Sequence, residues 1–393
     1  MTNRERVMSQ LMGEQIDRVP LLGGWFHGID NLARLAGLTT AEYLENPVEN
    51  LIRANRGLGV DCMISPLIPT TYGEMRTDRV LQSDFADITP EHVKRVADEI
   101  PGAAEDVIAD FDFAEEEREC RREIESQQQS MGDIVWIPTF WEITPAFELF
   151  GAYGYDAYFS AIALYPDAVG KLYWASGVRA RARGEILVRL YKEYDLPPIC
   201  FMGPDICNNK GPLCSPDFLK QYYFPLVKRC LEPFVEADIR VIRHCDGDVM
   251  PLIDDFIDSG YAGFQGFQFE CGVDPWRIAE RRSVQGRRLI FFAGLSVTHT
   301  LPFGTIEDVA EEIEYVLDFT DGGKNLFFFT SSAVGPEAPL ENIRYAYDRM
   351  KEGDYDRNRQ AGSLRRTWPW FEKIQQPASI GESSSLRIYR KDS

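Results

Sequence analysis

In VIRHCDGDVMPLIDDFIDSG, residues 241–260, an apolar run ends on His244, Asp246 and Asp248. An imidazole and carboxylates at the end of a buried strand are costly unless they are paired or used. Side chains alternate along a strand, so His244 and Asp246 share one face while Cys245 points to the other. Imidazole and carboxylate on one face suit a metal such as zinc or iron, or an acid-base pair. A polar turn is the plainer alternative. Two ligands leave a metal site incomplete, and Glu270, Asp205 and Cys271 offer by type a third from other segments.

Other apolar runs also end in residues with chemistry. The first leads into Trp25, Phe26 and His27, the third into Trp141 and Glu142, and the fourth into Asp205. Further on, Glu270 and Cys271 follow the sixth, Ser296 and His299 the seventh, and Thr330, Ser331 and Ser332 close the eighth. Three of the four histidines fall at such ends; only His92 does not. Each also has a structural reading: His27 as a hydrogen-bonded wall residue, His299 as a helix cap, Asp205 as a turn holder.

The runs that must position these residues are short and β-rich: 19–25, 61–67, 133–140, 199–206, 239–245, 263–269, 288–295 and 325–332. Longer amphipathic segments separate them, the pattern of βα units around a parallel sheet. Ser215 and Pro216 open one expected helix, and Thr305 with acidic residues in the first turn opens another. Eight strands alternating with helices predict an α/β fold, a (β/α)8 TIM barrel with N-terminal helices, over residues 1–354. An open doubly wound sheet competes, but no GxGxxG follows an early strand. Residues 68–132, after the second strand, are too long for a simple connection and read as an insertion. Residues 355–393 read as a C-terminal arm, packed through Trp368, Trp370 and Phe371 on the barrel or on a partner subunit.

A chain of 393 residues, 44% hydrophobic and 26% charged, has the composition of a globular protein with a substantial core. The net charge of -20 argues against general affinity for nucleic acid or anionic membranes. No run is long and apolar enough to span a bilayer. The N-terminal MTNRERVMSQLMGEQ has no apolar signal region, and the eight cysteines include no CxxC pair. Together these predict a reducing, cytoplasmic setting.

Several blocks resemble the uroporphyrinogen decarboxylase superfamily, which includes cobalamin-dependent methyltransferases. They are RERVMSQLMGEQIDRVP, GPDICNNKGPLCSPDFLKQYYFPLVKRCLEPF, VIRHCDGDVMPLIDDFIDSG, LPFGTIEDVAEEI and VGPEAPLENIRYAYDRM. The resemblance implies a (β/α)8 barrel and a homodimer. The opening VPLLGGWFHGIDNLARLAG lacks the arginine-bearing tetrapyrrole motif of the decarboxylases and has Trp25, Phe26 and His27 instead.

The resemblance to the corrinoid methyltransferase branch implies a zinc site made of a His-x-Cys pair and a later cysteine. Here His244 is kept, while Asp246 and Ser332 stand at the two thiol positions. That puts thiol activation in doubt and favours the opposite half-reaction. A methyl group would then leave a methoxylated aromatic, or another methylated small molecule, for cobalamin carried by a partner corrinoid protein. On this reading His244, Asp246, Glu270 and Asp205 are catalytic, with His244, Asp246 and Glu270 as zinc ligands. Trp25, His27, Tyr72, Trp141, Phe269, His299 and Ser332 are the candidate substrate contacts. The alternatives are a cofactor-independent decarboxylase of a small carboxylated substrate and a non-catalytic barrel that only binds.

Overall fold

The computed structural model describes residues 1–66, 85, 87–140, 142–353 and 355–371. All eight expected strands form, but shorter than the apolar runs: β1 (Leu22–Gly23), β2 (Cys62–Ile64), β3 (Val135–Ile137) and β4 (Ile199–Met202). After a small hairpin, β5 (Cys207–Asn208) and β6 (Gly211–Pro212), come β7 (Arg240–His244), β8 (Gly263–Gln265), β9 (Ile290–Leu295) and β10 (Leu326–Thr330). The runs overshoot because their last residues leave the ladder to become the loops that carry the polar groups.

The fold is mixed α/β, built on a curled parallel sheet of five strands in the order β10-β9-β8-β7-β4. A second parallel sheet has the order β1-β2-β3. Single parallel bridges meet at both seams, Thr139 with Phe201 and Leu21 with Phe328. Backbone bonds reinforce them: Phe140 N–H to the Phe201 carbonyl at 3.0 Å and Phe328 N–H to the Pro20 carbonyl at 2.9 Å.

Strand alternation sorts the core into two clusters. One faces inward and holds Leu22, Ile64, Ile137, Phe201, Ile242, Phe292 and Phe329, with Val7 and Leu11 of the helix Asn3–Met12 packed against it. The other lies between the strands and the surrounding helices and takes the opposite-parity residues, such as Val241, Phe264, Phe291 and Phe328. A fully buried Phe contributes roughly 1.5–3 kcal/mol, so the stacked pair Phe201–Phe292, 5.8 Å between centroids, is a major inward contact.

A buried ionic cluster pins the N-terminal helix to the strands. The Asp61 carboxylate accepts from Arg6 Nη1 at 2.6 Å, from Arg18 at 2.5 and 2.9 Å, and from Leu21 N–H at 2.8 Å. Asp17 takes the other edge of Arg6, which holds its carboxyl well below the ordinary carboxylate range. Residues within the expected insertion form the helices Pro90–Glu99, Ala104–Val107 and Phe113–Met131.

Thr305 caps its helix reciprocally with Asp308, as expected. Ser215 is at the cap position but makes no side-chain capping bond, and a π turn over Leu219–Tyr223 interrupts the helix that follows. Residues 355–371 pack back on their own chain. Buried Asp318 accepts from Gly362 N–H at 2.9 Å, Leu364 N–H at 3.1 Å and the Ser363 hydroxyl. Trp368 then packs edge-on against Phe269 and Tyr315, at 4.6 and 4.3 Å between centroids.

Replacing Asp61 with Asn leaves Arg18 without its carboxylate partner and Arg6 with Asp17 alone. The expected loss is about 3–5 kcal/mol of unfolding free energy, measured by denaturant titration against the wild-type chain.

Candidate functional site

The carboxyl ends of β4 and β7 bring Asp205, His244 and Asp246 together, with one ligand atom of each within 4.8 Å of the others. Asp205 reaches this point because the chain turns sharply at Gly203, with φ of +137°. A Cβ there would lie 2.6 Å from the His244 carbonyl and closer still to Arg243. Asp205 Oδ1 accepts from the Asp246 backbone N–H at 2.7 Å and lies 3.5 Å from His244 Nε2.

His244 is oriented by Gln265, its register partner on β8. The Gln265 amide donates both hydrogens to backbone carbonyls, Thr330 at 2.9 Å and Ser331 at 3.0 Å. Its oxygen must therefore accept, and the atom 2.5 Å away is His244 Nδ1. The proton of a neutral His244 thus sits on Nδ1, and Nε2 keeps its lone pair toward the carboxylates. Trp25 packs edge-on against this ring at 5.1 Å, and Phe201 closes another side at 5.9 Å.

Asp246 accepts from the Ser332 hydroxyl at 3.0 Å through Oδ2, while its buried Oδ1 has no hydrogen-bond partner. Burial is the main cause that pushes its carboxyl up to about 6, with Asp205 adding to the rise and His244 opposing it. For His244, burial opposes the charged form, but the Asp246 and Asp205 carboxylates outweigh it and raise the pKa. Gly247, at φ +86°, lets the β5–β6 hairpin sit on this turn; a Cβ would lie 2.3 Å from the Asn208 carbonyl oxygen. Asp248, in contrast, accepts from Met250 N–H at 3.0 Å and serves as a turn residue.

Among the described residues, the three that could jointly hold a metal are Asp205, His244 and Asp246, so Asp205 stands where Glu270 was expected as third ligand. Glu270 lies near enough for its charge to act on Asp246, but its bonded partner is the Thr298 hydroxyl. His299 is half-exposed, with Nδ1 2.9 Å from that same hydroxyl. Phe269 is wholly buried beneath Trp368. His27 is buried, neither ring nitrogen has a hydrogen-bond partner, and burial lowers its pKa. Tyr72 and Trp141 lie outside the described residues.

Sequence reasoning passed over Gln265. Its signal was present: a glutamine inside the apolar run GFQGFQF at a position whose parity faces inward. It also passed over Glu312, wholly buried on the helix Ile306–Phe319, whose carboxyl accepts from Ser296 N–H at 3.0 Å. Burial pushes that carboxyl up to about 8.

No protein-family model matches the chain, and no curated protein sequence does either. The fold is similar to a solved structure described as a methyltransferase from Methanosarcina mazei, with a TM-score of 0.57. Identity is 18%, and the match covers 90% of this chain and 99% of that one. At that identity the likeness bears on the fold alone.

Two stability measurements check these assignments. Gln265→Leu leaves His244 Nδ1 and two carbonyls without partners, and is expected to cost about 1–3 kcal/mol by denaturant titration. For Glu312, the folded pKa near 8 lies above the ordinary 4.5. Between those values the folded chain holds a proton that the unfolded chain has lost, so stability falls as pH rises through that window. Glu312→Gln cannot ionise, so its stability plotted from pH 5 to pH 8 is expected to be flatter than that of the wild type.

Proposed function

We propose that this chain is a corrinoid-dependent methyltransferase of the uroporphyrinogen decarboxylase superfamily. In this reading residues 1–354 are a closed (β/α)8 barrel, the closure supported by the bridges at both seams, and residues 355–393 are its arm. The enzyme takes a methyl group from a methoxylated aromatic, or another methylated small molecule, and delivers it to a partner corrinoid protein. It acts as a homodimer in the cytoplasm. The observation that carries the reading is the Asp205–His244–Asp246 cluster at the carboxyl ends of parallel strands, where barrel enzymes place their chemistry. The fold shared with a methyltransferase supports it.

The donor set fits a divalent cation. His244 Nε2 offers a lone pair fixed by Gln265, Asp246 Oδ1 is buried without a hydrogen-bond partner, and Asp205 adds a second carboxylate. Zinc accepts nitrogen and carboxylate oxygen together, and when bound here it would polarise the ether oxygen that the methyl group leaves. The chain's own residues do the rest. Ser332 and the Asp246 N–H hold the two carboxylates in place, and Trp25 and Phe201 wall off the imidazole. Glu270 supplies the proton that the departing oxygen needs.

Thiol activation is disfavoured by the same residues. Where thiolates would stand, a carboxylate and a hydroxyl are bonded to each other, and such an oxygen-rich set makes a harder site.

Elemental analysis of the purified protein is expected to find one divalent metal per chain, lost in His244→Ala and Asp246→Asn. Incubated with a reduced corrinoid protein and a panel of methoxylated aromatics, the wild type should methylate the corrinoid, followed by its absorption spectrum. His244→Ala should lose roughly a hundredfold or more while still unfolding in one cooperative transition, at a midpoint lowered by the loss of the Gln265 bond. Carbon dioxide release without any corrinoid would replace this reading with decarboxylation. Ligand binding with no turnover in either form would replace it with a binding protein.

A further inference from the structure

We propose that His299 and Thr298 form a proton relay that reloads Glu270 from solvent, so that Glu270 can serve as a recurring acid. The inference rests on the reading above in one respect: the reaction leaves an oxygen that must be protonated.

Glu270 is nearly enclosed, its side chain 9% exposed, and its Oε2 is buried with no hydrogen-bond partner. Its Oε1 accepts from the Thr298 hydroxyl. That hydroxyl lies 2.9 Å from His299 Nδ1 and 3.2 Å from the Ser296 hydroxyl. A hydroxyl has one proton to give. Once it is given to Glu270, the short contact to His299 requires the imidazole to donate from Nδ1. The His299 side chain is 48% exposed and packs edge-on against Trp370 at 5.0 Å. One end of the chain of hydrogen bonds thus meets water and the other ends on a buried carboxyl. Among the described residues, His299, Asp246 after β7 and Glu312 of the helix Ile306–Phe319 act on or beside Glu270.

The proton count closes. Protonated Glu270 gives its proton to the departing oxygen and becomes a carboxylate. The Thr298 proton moves to Oε1, the Nδ1 proton moves to the Thr298 oxygen, and Nε2 takes a proton from water. One proton passes from solvent to product. Exchange with water resets the imidazole, and a half-turn of the carboxyl returns its proton to the other oxygen. Without the relay, an enclosed Glu270 would be slow to recover its proton.

Two measurements test this. In the full chain labelled with nitrogen-15 at histidine, neutral His299 is expected to carry its proton on Nδ1. Thr298→Val should shift it to the Nε2 form. An Nε2 proton in the wild type overturns the relay, whatever the substrate. In turnover, Thr298→Val and His299→Ala should each lower the steady-state rate roughly ten- to a hundredfold with KM held. Imidazole in solution should restore His299→Ala but not Thr298→Val. Variants as fast as the wild type, or losses that imidazole leaves untouched, overturn the relay. A wild type that methylates no corrinoid counts against the functional reading alone, because the tautomer measurement still decides the relay.

Discussion

The geometry of the site depends on the side-chain amide of Gln265. Its two hydrogens are committed to the backbone at the end of β10, so only its oxygen is left for His244. A carboxylate in its place could accept from His244 but could not donate to two carbonyls. A hydrophobe could do neither. One neutral side chain therefore ties β8 to β10 and fixes which imidazole nitrogen faces Asp205 and Asp246. Buried polar groups of this kind give a unique arrangement when every member is satisfied, and cost stability when one is removed.

The rest of the chain holds that arrangement from both sides. The Asp61 cluster fastens the N-terminal helix, whose Val7 and Leu11 fill the inward core away from the site. On the other side the arm closes over the β8 and β9 loops. Asp318 captures three successive residues of the arm, and Arg365 pairs with Asp274 at 2.5 Å. Trp368 then covers Phe269, the residue beside Glu270, and Trp370 meets His299. The arm thus reaches the Glu270 side of the site rather than the Asp205–His244–Asp246 cluster.

Much of this was legible in the sequence. The apolar runs gave the positions of all eight strands, because a strand buried on both faces reads as a continuous hydrophobic stretch. Strand parity placed His244 and Asp246 on one side, and they do meet. Their third companion was not legible. Asp205 and Glu270 both follow strands and both carry carboxylates, so residue type could not choose between them. Two facts of the folded chain bring Asp205 to the pair and leave Glu270 apart: the tight turn at Gly203, which carries Asp205 to the His244 ring, and Thr298, which bonds Glu270. The path of the arm was likewise hidden, since its anchor, Asp318, sits in the helix Ile306–Phe319 and looks by sequence like one more acidic helix residue.

Asp246 and Ser332 act as one unit rather than two. A serine alone would supply a neutral hydroxyl and no charge. An aspartate alone would be a buried carboxylate with one less hydrogen bond to hold it. Together the hydroxyl donates to one carboxylate oxygen and leaves the other free to coordinate. The pair keeps a negative charge beside His244 but presents it on oxygen. On the proposed reading, a metal held this way would be a stronger Lewis acid toward an ether oxygen than one whose charge is quenched by two sulfurs. The proposed chemistry follows that difference: such a centre would be suited to releasing a methyl group from oxygen rather than to holding a thiolate that accepts one.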